Sequence, residues 1–414
     1  MDLIAEASRV AIICLVFVGL CACRGGLRLS DASASDAGID NAGIAGLPDA
    51  ETCCSAVLRG VLSRADSMSV ARSGHTATSL GNGNILIAGG DDAIVDGSVV
   101  GGSAELYDAA TGAFTMTGSM SGARTGHTAT LLSNGRVLIA GGNSGADCVT
   151  DARGELFDPA TGTFVATGTF VATGNPTALQ RAAHTATLLP GGQVLIAGGA
   201  PSCGVVSFLG FASAELYDAG TGTFIETGGM AEVRLGHTAT LLVDGRVLVA
   251  GGIAGSDVHA SAELYDPASG TFTSTGNMTV ARHEHTATLL GDGRVLVVGG
   301  VGGGNNILDS AELYDPGSGT FAATSSMVSS RVGHTATLLC DRRVLIAGGG
   351  DNVNVTALPS AELYDPDTGA FSATSGMVSS RGGHTATQLC NGKVLIAGGV
   401  DASGGTLASA ELYE

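Results

Sequence analysis

The chain has 414 residues, of which 66 are glycine, 9 are proline and only 14% are charged, with a formal charge of −19. Collagen is excluded because the glycines follow no G-X-Y period, and disorder over most of the length is excluded by a hydrophobic content of 44%. Nearly all basic residues are arginine, Lys393 being the sole lysine, and no basic patch is present for nucleic acid or anionic lipid.

In chain order, residues 10–23 form the only long apolar run. It is too short to span a bilayer and suits the core of an export signal, so residues 1–22 are expected to be a signal peptide. Its leading segment is poor in positive charge, since Asp2 and Glu6 outweigh Arg9, which leaves open a start further downstream. The run ends Leu20-Cys21-Ala22-Cys23 and resembles the lipobox of bacterial lipoproteins, which implies acylation at Cys23. Ordinary cleavage with secretion is the alternative, but it would put the bulky Leu20 where a small residue is wanted. Arg24 after the cysteine lacks the aspartate of the lipoproteins' inner-membrane retention signal, which implies the outer membrane as destination. Residues 23–52, rich in Asp, Ala, Gly and Ser, are expected to be a lipid-anchored flexible linker.

Residues 53–414 are dominated by repetition. An R-x-x-H step recurs with histidines at His75, His127, His184, His237, His285, His334 and His384, at gaps of 52, 57, 53, 48, 49 and 50 residues. A second G-T-F-V-A-T-G at residues 168–174 accounts for the long gap. Each unit contains four strand-length runs: H-T-A-T-L-L, R-V-L-I-A, A-E-L-Y-D and G-T-F with its following residues. Asn134-Gly135, Asp244-Gly245 and Asp292-Gly293 mark tight hairpins between the first two, and D-P-x-T/S-G joins the last two. Four antiparallel strands at a period of about 50 residues describe a propeller blade.

The double glycine after each apolar run (Gly89-Gly90 through Gly398-Gly399), followed by aromatic residues in E-L-Y-D and G-T-F, resembles the kelch repeat over residues 60–414. The resemblance implies an all-β, seven-bladed propeller. One departure is that Phe114, Phe164, Phe224, Phe272, Phe321 and Phe371 stand where kelch blades usually carry tryptophan, which this chain lacks. The seventh unit stops at Glu414 without a fourth strand. Residues 60–68 keep the Gly-to-Met spacing of residues 270–278, so an N-terminal strand is expected to complete blade seven and close the ring.

A histidine present once per blade reads as structural, because chemistry needs an asymmetric constellation. His and Arg are expected to bond backbone at the start of each first strand, with the Glu of A-E-L-Y-D as counter-charge. Kelch-like propellers also form the body of galactose-oxidase-type copper enzymes. All six tyrosines here occupy the E-L-Y-D slot, which leaves none for a radical site, and the chain is expected not to be an enzyme and to need no cofactor. His283-Glu284-His285 puts two histidines on one strand face, yet without a third ligand beyond the isolated His259 no metal is expected. Among the later cysteines, Cys148 and Cys203 lie on variable stretches of neighbouring units and are the expected disulfide, ahead of Cys340 with Cys390 at equivalent turns.

What differs among units is the stretch between second and third strands. Asp91 and Asp92 (with Asp96) belong to one such loop, where a solvated acidic turn is the expectation and no calcium-loop spacing exists. Val205, Val206, Phe208, Leu209 and Phe211 make another apolar, so it either packs locally or meets a partner. The expected function is a monomeric binding or scaffolding module on the cell envelope. Its variable loops would recognise an unknown protein or surface ligand, and it would meet the membrane only through its lipid. A carbohydrate-binding or carbohydrate-processing propeller and a structural surface protein are the alternatives.

Overall fold

The four-residue apolar run of each repeat, Ile85–Ala88 in the first, has no polar side to turn to water and needs cover on both faces. The computed structural model describes residues 60–414 apart from 93, 96–97, 100, 145–148, 151, 172–180, 202–209 and 352–355. In it each run is the second strand of a four-stranded antiparallel sheet. Blade one runs Thr76–Ser79, Ile85–Ala88, Ala104–Tyr107 and Phe114–Met116 from inside to outside. The first strands pack against one another in sequence, and Thr385–Gln388 returns to Thr76–Ser79, so seven blades surround one axis. Among the described residues the only helix is a single 3-10 turn, Gly303–Asn305.

Alternation within each second strand divides the core between two interfaces. Leu86 and Ala88 join Val137 and Ile139 of blade two, whereas Ile85 and Ile87 join Leu395 and Ala397 of blade seven. Blade seven consists of Thr385–Gln388, Val394–Ala397 and Ala410–Tyr413, completed by Leu62–Arg64 from the other end of the chain. Leu62 faces Tyr413 and Arg64 faces Glu411, and Val61 and Glu414 exchange two backbone hydrogen bonds of 2.9 Å. The outer edge of the last blade is therefore paired by the strand that the spacing of residues 60–68 predicts.

The hairpin turns are one step looser than two-residue turns. Gly83 alone is left-handed, at φ +86°, and donates to the Leu80 carbonyl at 3.0 Å, while Leu80 closes on Asn84 at 2.8 Å. Blade two carries the other irregularity. Its outer strand extends over Thr163–Thr169, and Phe170 fills the interface position that methionine holds in the other six. The Phe170 ring lies 4.7 Å from that of Phe224. A Cβ at Gly154 would come within 3.2 Å of Phe224 and 2.9 Å of Thr167, which is why glycine replaces the alanine of A-E-L-Y there.

Polar groups lock the blades together. Each arginine of the R-x-x-H step is buried at the root of its blade. Arg72 donates to the carbonyls of Gly89 and Ser103 at 2.9 and 3.0 Å and to Glu105 at 3.3 Å. The glutamate in turn accepts from the backbone of Ser69 at 2.7 Å, fastening the strand that arrives from the neighbouring blade. Beside the backbone contacts that the sequence suggests, such as His127 with Arg124 and Ala88, each histidine Nε2 reaches the threonine hydroxyl that opens the preceding blade's first strand, a partner the repeat pattern does not name. His127 meets Thr76 at 3.0 Å and His75 closes the circle on Thr385 at 3.0 Å. The double glycine makes room for this wedge. A Cβ at Gly89 would stand 2.6 Å from His127 Cε1, and one at Gly90 would stand 2.7 Å from the Ser73 carbonyl.

Burial lowers His75, His127, His184, His237 and His334 from 6.5 to about 3, and takes His285 and His384 well below the usual range. The unfolded chain therefore binds more protons than the fold below pH 6.5, so stability present above that value is lost as the pH falls. Each histidine contributes a slope of about 1.4 kcal/mol per pH unit. Thermal unfolding followed from pH 7.5 to 5 should show the midpoint dropping below pH 6.5, before ordinary surface carboxylates titrate. A flat midpoint across that window would mean that the histidines protonate in place.

Candidate functional site

Register decides which loops share a face. Thr76 pairs with Ala88 and Ala88 with Ala104, so the start of each first strand, the end of the second and the start of the third lie together. The inter-blade crossings and the variable loops thus emerge on one face, and the Asn/Asp-Gly and Asp-Pro turns on the other. The loop face is irregular from blade to blade. Small ladders stand on it at Ile94–Val95 with Ser98–Val99, Asn143–Ser144 with Val149–Thr150, and Ile253–Ala254 with Asp257–Val258.

The residues singled out by sequence fall unevenly on this face. Asp91 and Asp92 pair through their backbones with Ser73 and Arg72, forming a short ladder at the loop's root. Phe211 is half-buried, its N–H donating to the Gly199 carbonyl at 2.8 Å and its ring 4.9 Å from the guanidinium carbon of Arg181. It is a cover over the buried arginine of its own blade. Cys23, Cys148, Cys203, Val205, Val206, Phe208 and Leu209 lie outside the described residues. On the opposite face Cys340 is disulfide-bonded and Cys390 is a free thiol, so the two equivalent turns are not bridged to each other.

The two histidines of His283-Glu284-His285 do not act as a pair. His285 is the blade's wedge, 3.0 Å from Thr238, while His283 is held by its backbone to Val301. His259 contacts the Val233 carbonyl at 3.1 Å and lies 3.5 Å from Glu232. Glu284 between the histidines is the residue that sequence reasoning passed over. It occupies the position held by Gly74, Gly126, Gly236, Gly333 and Gly383 in five other blades and by Ala183 in the sixth. All seven are left-handed, with φ from 53° at Glu284 to 65° at Gly333. Equivalent residues are linked around the axis by backbone hydrogen bonds, Glu284 to Gly236 at 2.7 Å, Gly74 to Gly383 at 3.2 Å and Gly383 to Gly333 at 3.0 Å. The axial mouth of the loop face is therefore a ring of small residues interrupted by one carboxylate. The signal was visible in sequence as an acid in a glycine slot.

The Glu284 side chain is 23% exposed, and burial raises its carboxyl to about 7. Left-handed backbone costs a residue with a side chain roughly 1 kcal/mol relative to glycine. Because its folded pKa lies above the unfolded value, this carboxyl carries no charge penalty at low pH and opposes folding increasingly as the pH rises through 7. Glu284→Gly should therefore raise the thermal midpoint at every pH, and Glu284→Gln should raise it at pH 8 but little at pH 5. Differential scanning calorimetry of the three proteins at both pH values checks this, and a destabilised Glu284→Gly would show that the carboxylate supports the fold.

A family model described as the Kelch motif matches residues 234–279 and 283–328. No curated protein matches the chain in sequence. Among solved structures, a fungal alcohol oxidase of the AA5 family in complex with copper is similar at a TM-score of 0.65 and 16% identity, over 86% of this chain and 75% of that one. This finding corrects the expectation that the chain is not an enzyme, since a propeller of this fold occurs in an oxidase and the fold gives no ground for excluding catalysis. The described residues offer no side-chain cluster of the kind that holds a metal ion. No three His, Cys, Asp or Glu side chains gather among them, and all six tyrosines are buried at blade interfaces. The chain is a seven-bladed β-propeller of four-stranded antiparallel blades that carries kelch motifs.

Proposed function

We propose that this propeller is a binding or scaffolding module whose loop face recognises a protein partner, and that acylation at Cys23 tethers it to the outer membrane. The observation that carries the reading is where the blades differ. Their second strands are interchangeable and buried, while the variable loops and the one carboxylate of the axial ring stand on a single face. Loops on a rigid ring are where recognition is usually placed. A sugar-binding reading would need exposed aromatic platforms, and every tyrosine is at most 1% exposed.

The apolar loop of blade three supplies the test. An aromatic anchor at a protein interface typically costs about 2 kcal/mol or more when truncated. Phe208→Ala should weaken capture of the partner from envelope extract at least tenfold and leave the thermal midpoint unchanged, whereas Phe211→Ala should lower the midpoint because it uncovers Arg181. Normal capture by the Phe208 variant would move recognition away from this loop. For the tether, Cys23→Ser should abolish incorporation of labelled fatty acid and release the protein from membranes. Equal labelling of the variant would remove Cys23 from the account.

A further inference from the structure

Glu284 burdens the fold on two counts, and nothing described around it offsets either. Its backbone takes a left-handed conformation, φ 53°, where five blades use glycine. Its side chain is only 23% exposed, and among the described residues no hydrogen-bond donor bonds its carboxylate. The nearest titratable group is His283, Nδ1 standing 3.9 Å from Oε1, and burial holds that imidazole at about 4, so it is neutral near pH 7. Arg282, the adjacent cation, is committed to Gly299, Ser310 and Glu312. On the flanking blades His237 and His334 are neutral and bonded to Thr185 and Thr286. The side chain lies along the neighbouring blade, where a Cβ on Gly236 would meet its Cγ at 3.3 Å, so glycine leaves that side open.

We propose that the Glu284 carboxylate is the seat for an organic cation that donates N–H hydrogen bonds, the ammonium or guanidinium group of a lysine or arginine on the partner. The partner itself rests on the loop-face reading above; the cation seat does not. A carboxylate with no donor among the described residues leaves its lone pairs to an incoming cation, and the pair is stronger in a partly buried site than in open water. The chain's net charge of −19 favours cations over anions as its ligands. A metal ion is the weaker occupant, because the described residues gather no three side chains able to hold one. On a ring of seven near-equivalent positions, one carboxylate also sets a single rotational orientation for what docks, which the repeats alone do not.

The test uses the whole protein with carbon-13 in its glutamate carboxyls, the Glu284 resonance being identified by its loss in Glu284→Gln. Its titration midpoint is followed in sodium chloride and, at equal ionic strength, in n-butylammonium, methylguanidinium, choline or calcium chloride. The expected result is a midpoint lowered by half a unit or more, a threefold change in proton affinity, with the two N–H donors and not with choline or calcium. An unmoved midpoint with both donors, or an equal shift with choline or calcium, overturns the proposal. Because the probes need no partner, an unmoved midpoint beside weakened capture by Phe208→Ala retires the cation seat and keeps the face. A moved midpoint beside unaffected capture does the reverse.

Discussion

Every second strand of this chain is apolar on both sides, so no blade can satisfy its own core. Leu86 and Ala88 need blade two just as Ile85 and Ile87 need blade seven. A linear stack would leave two such faces in water, whereas a ring leaves none. Ring closure is therefore the condition on which the remaining features depend, and the return of residues 62–64 to the last blade meets it.

Close approach of the blades sets what their edges can contain. The inner strands are near enough that a histidine from one blade reaches the threonine of the next, and only paired left-handed glycines leave space for it. Seven guanidiniums buried beside seven glutamates fasten the crossings. Removing one partner of such a pair would leave a charge without compensation, at a cost of about 3–5 kcal/mol. These groups are costly to bury and are tolerated because each is bonded on several sides. The same economy explains blade two, where Phe170 in a methionine position is accommodated by glycine at residue 154.

The symmetry that makes the ring stable also makes its framework uninformative. A framework repeated seven times distinguishes no ligand and no orientation, which leaves discrimination to the parts free of the packing rule. Those parts are the variable loops and the axial ring on the same face, where the backbone is constrained but the side chain is not. Glu284 uses that freedom at the expense of strain and desolvation.

Strand number, blade count, turn positions and the closing strand were all legible in the sequence, because strand-length apolar runs between turn signals and a 50-residue repeat are local patterns that a chain states directly. The spacing from Gly60 to Met68 sufficed to place a strand that pairs more than 300 residues away. The partners of the repeated polar residues were not legible. The bond from His127 to Thr76 crosses between blades, and a sequence pattern that is identical in every repeat cannot say which repeat a side chain reaches. Glu284 stood in plain view as a departure from glycine, but its meaning came from the left-handed backbone and from the convergence of seven equivalent positions on one axis. That convergence exists only when the ring is closed.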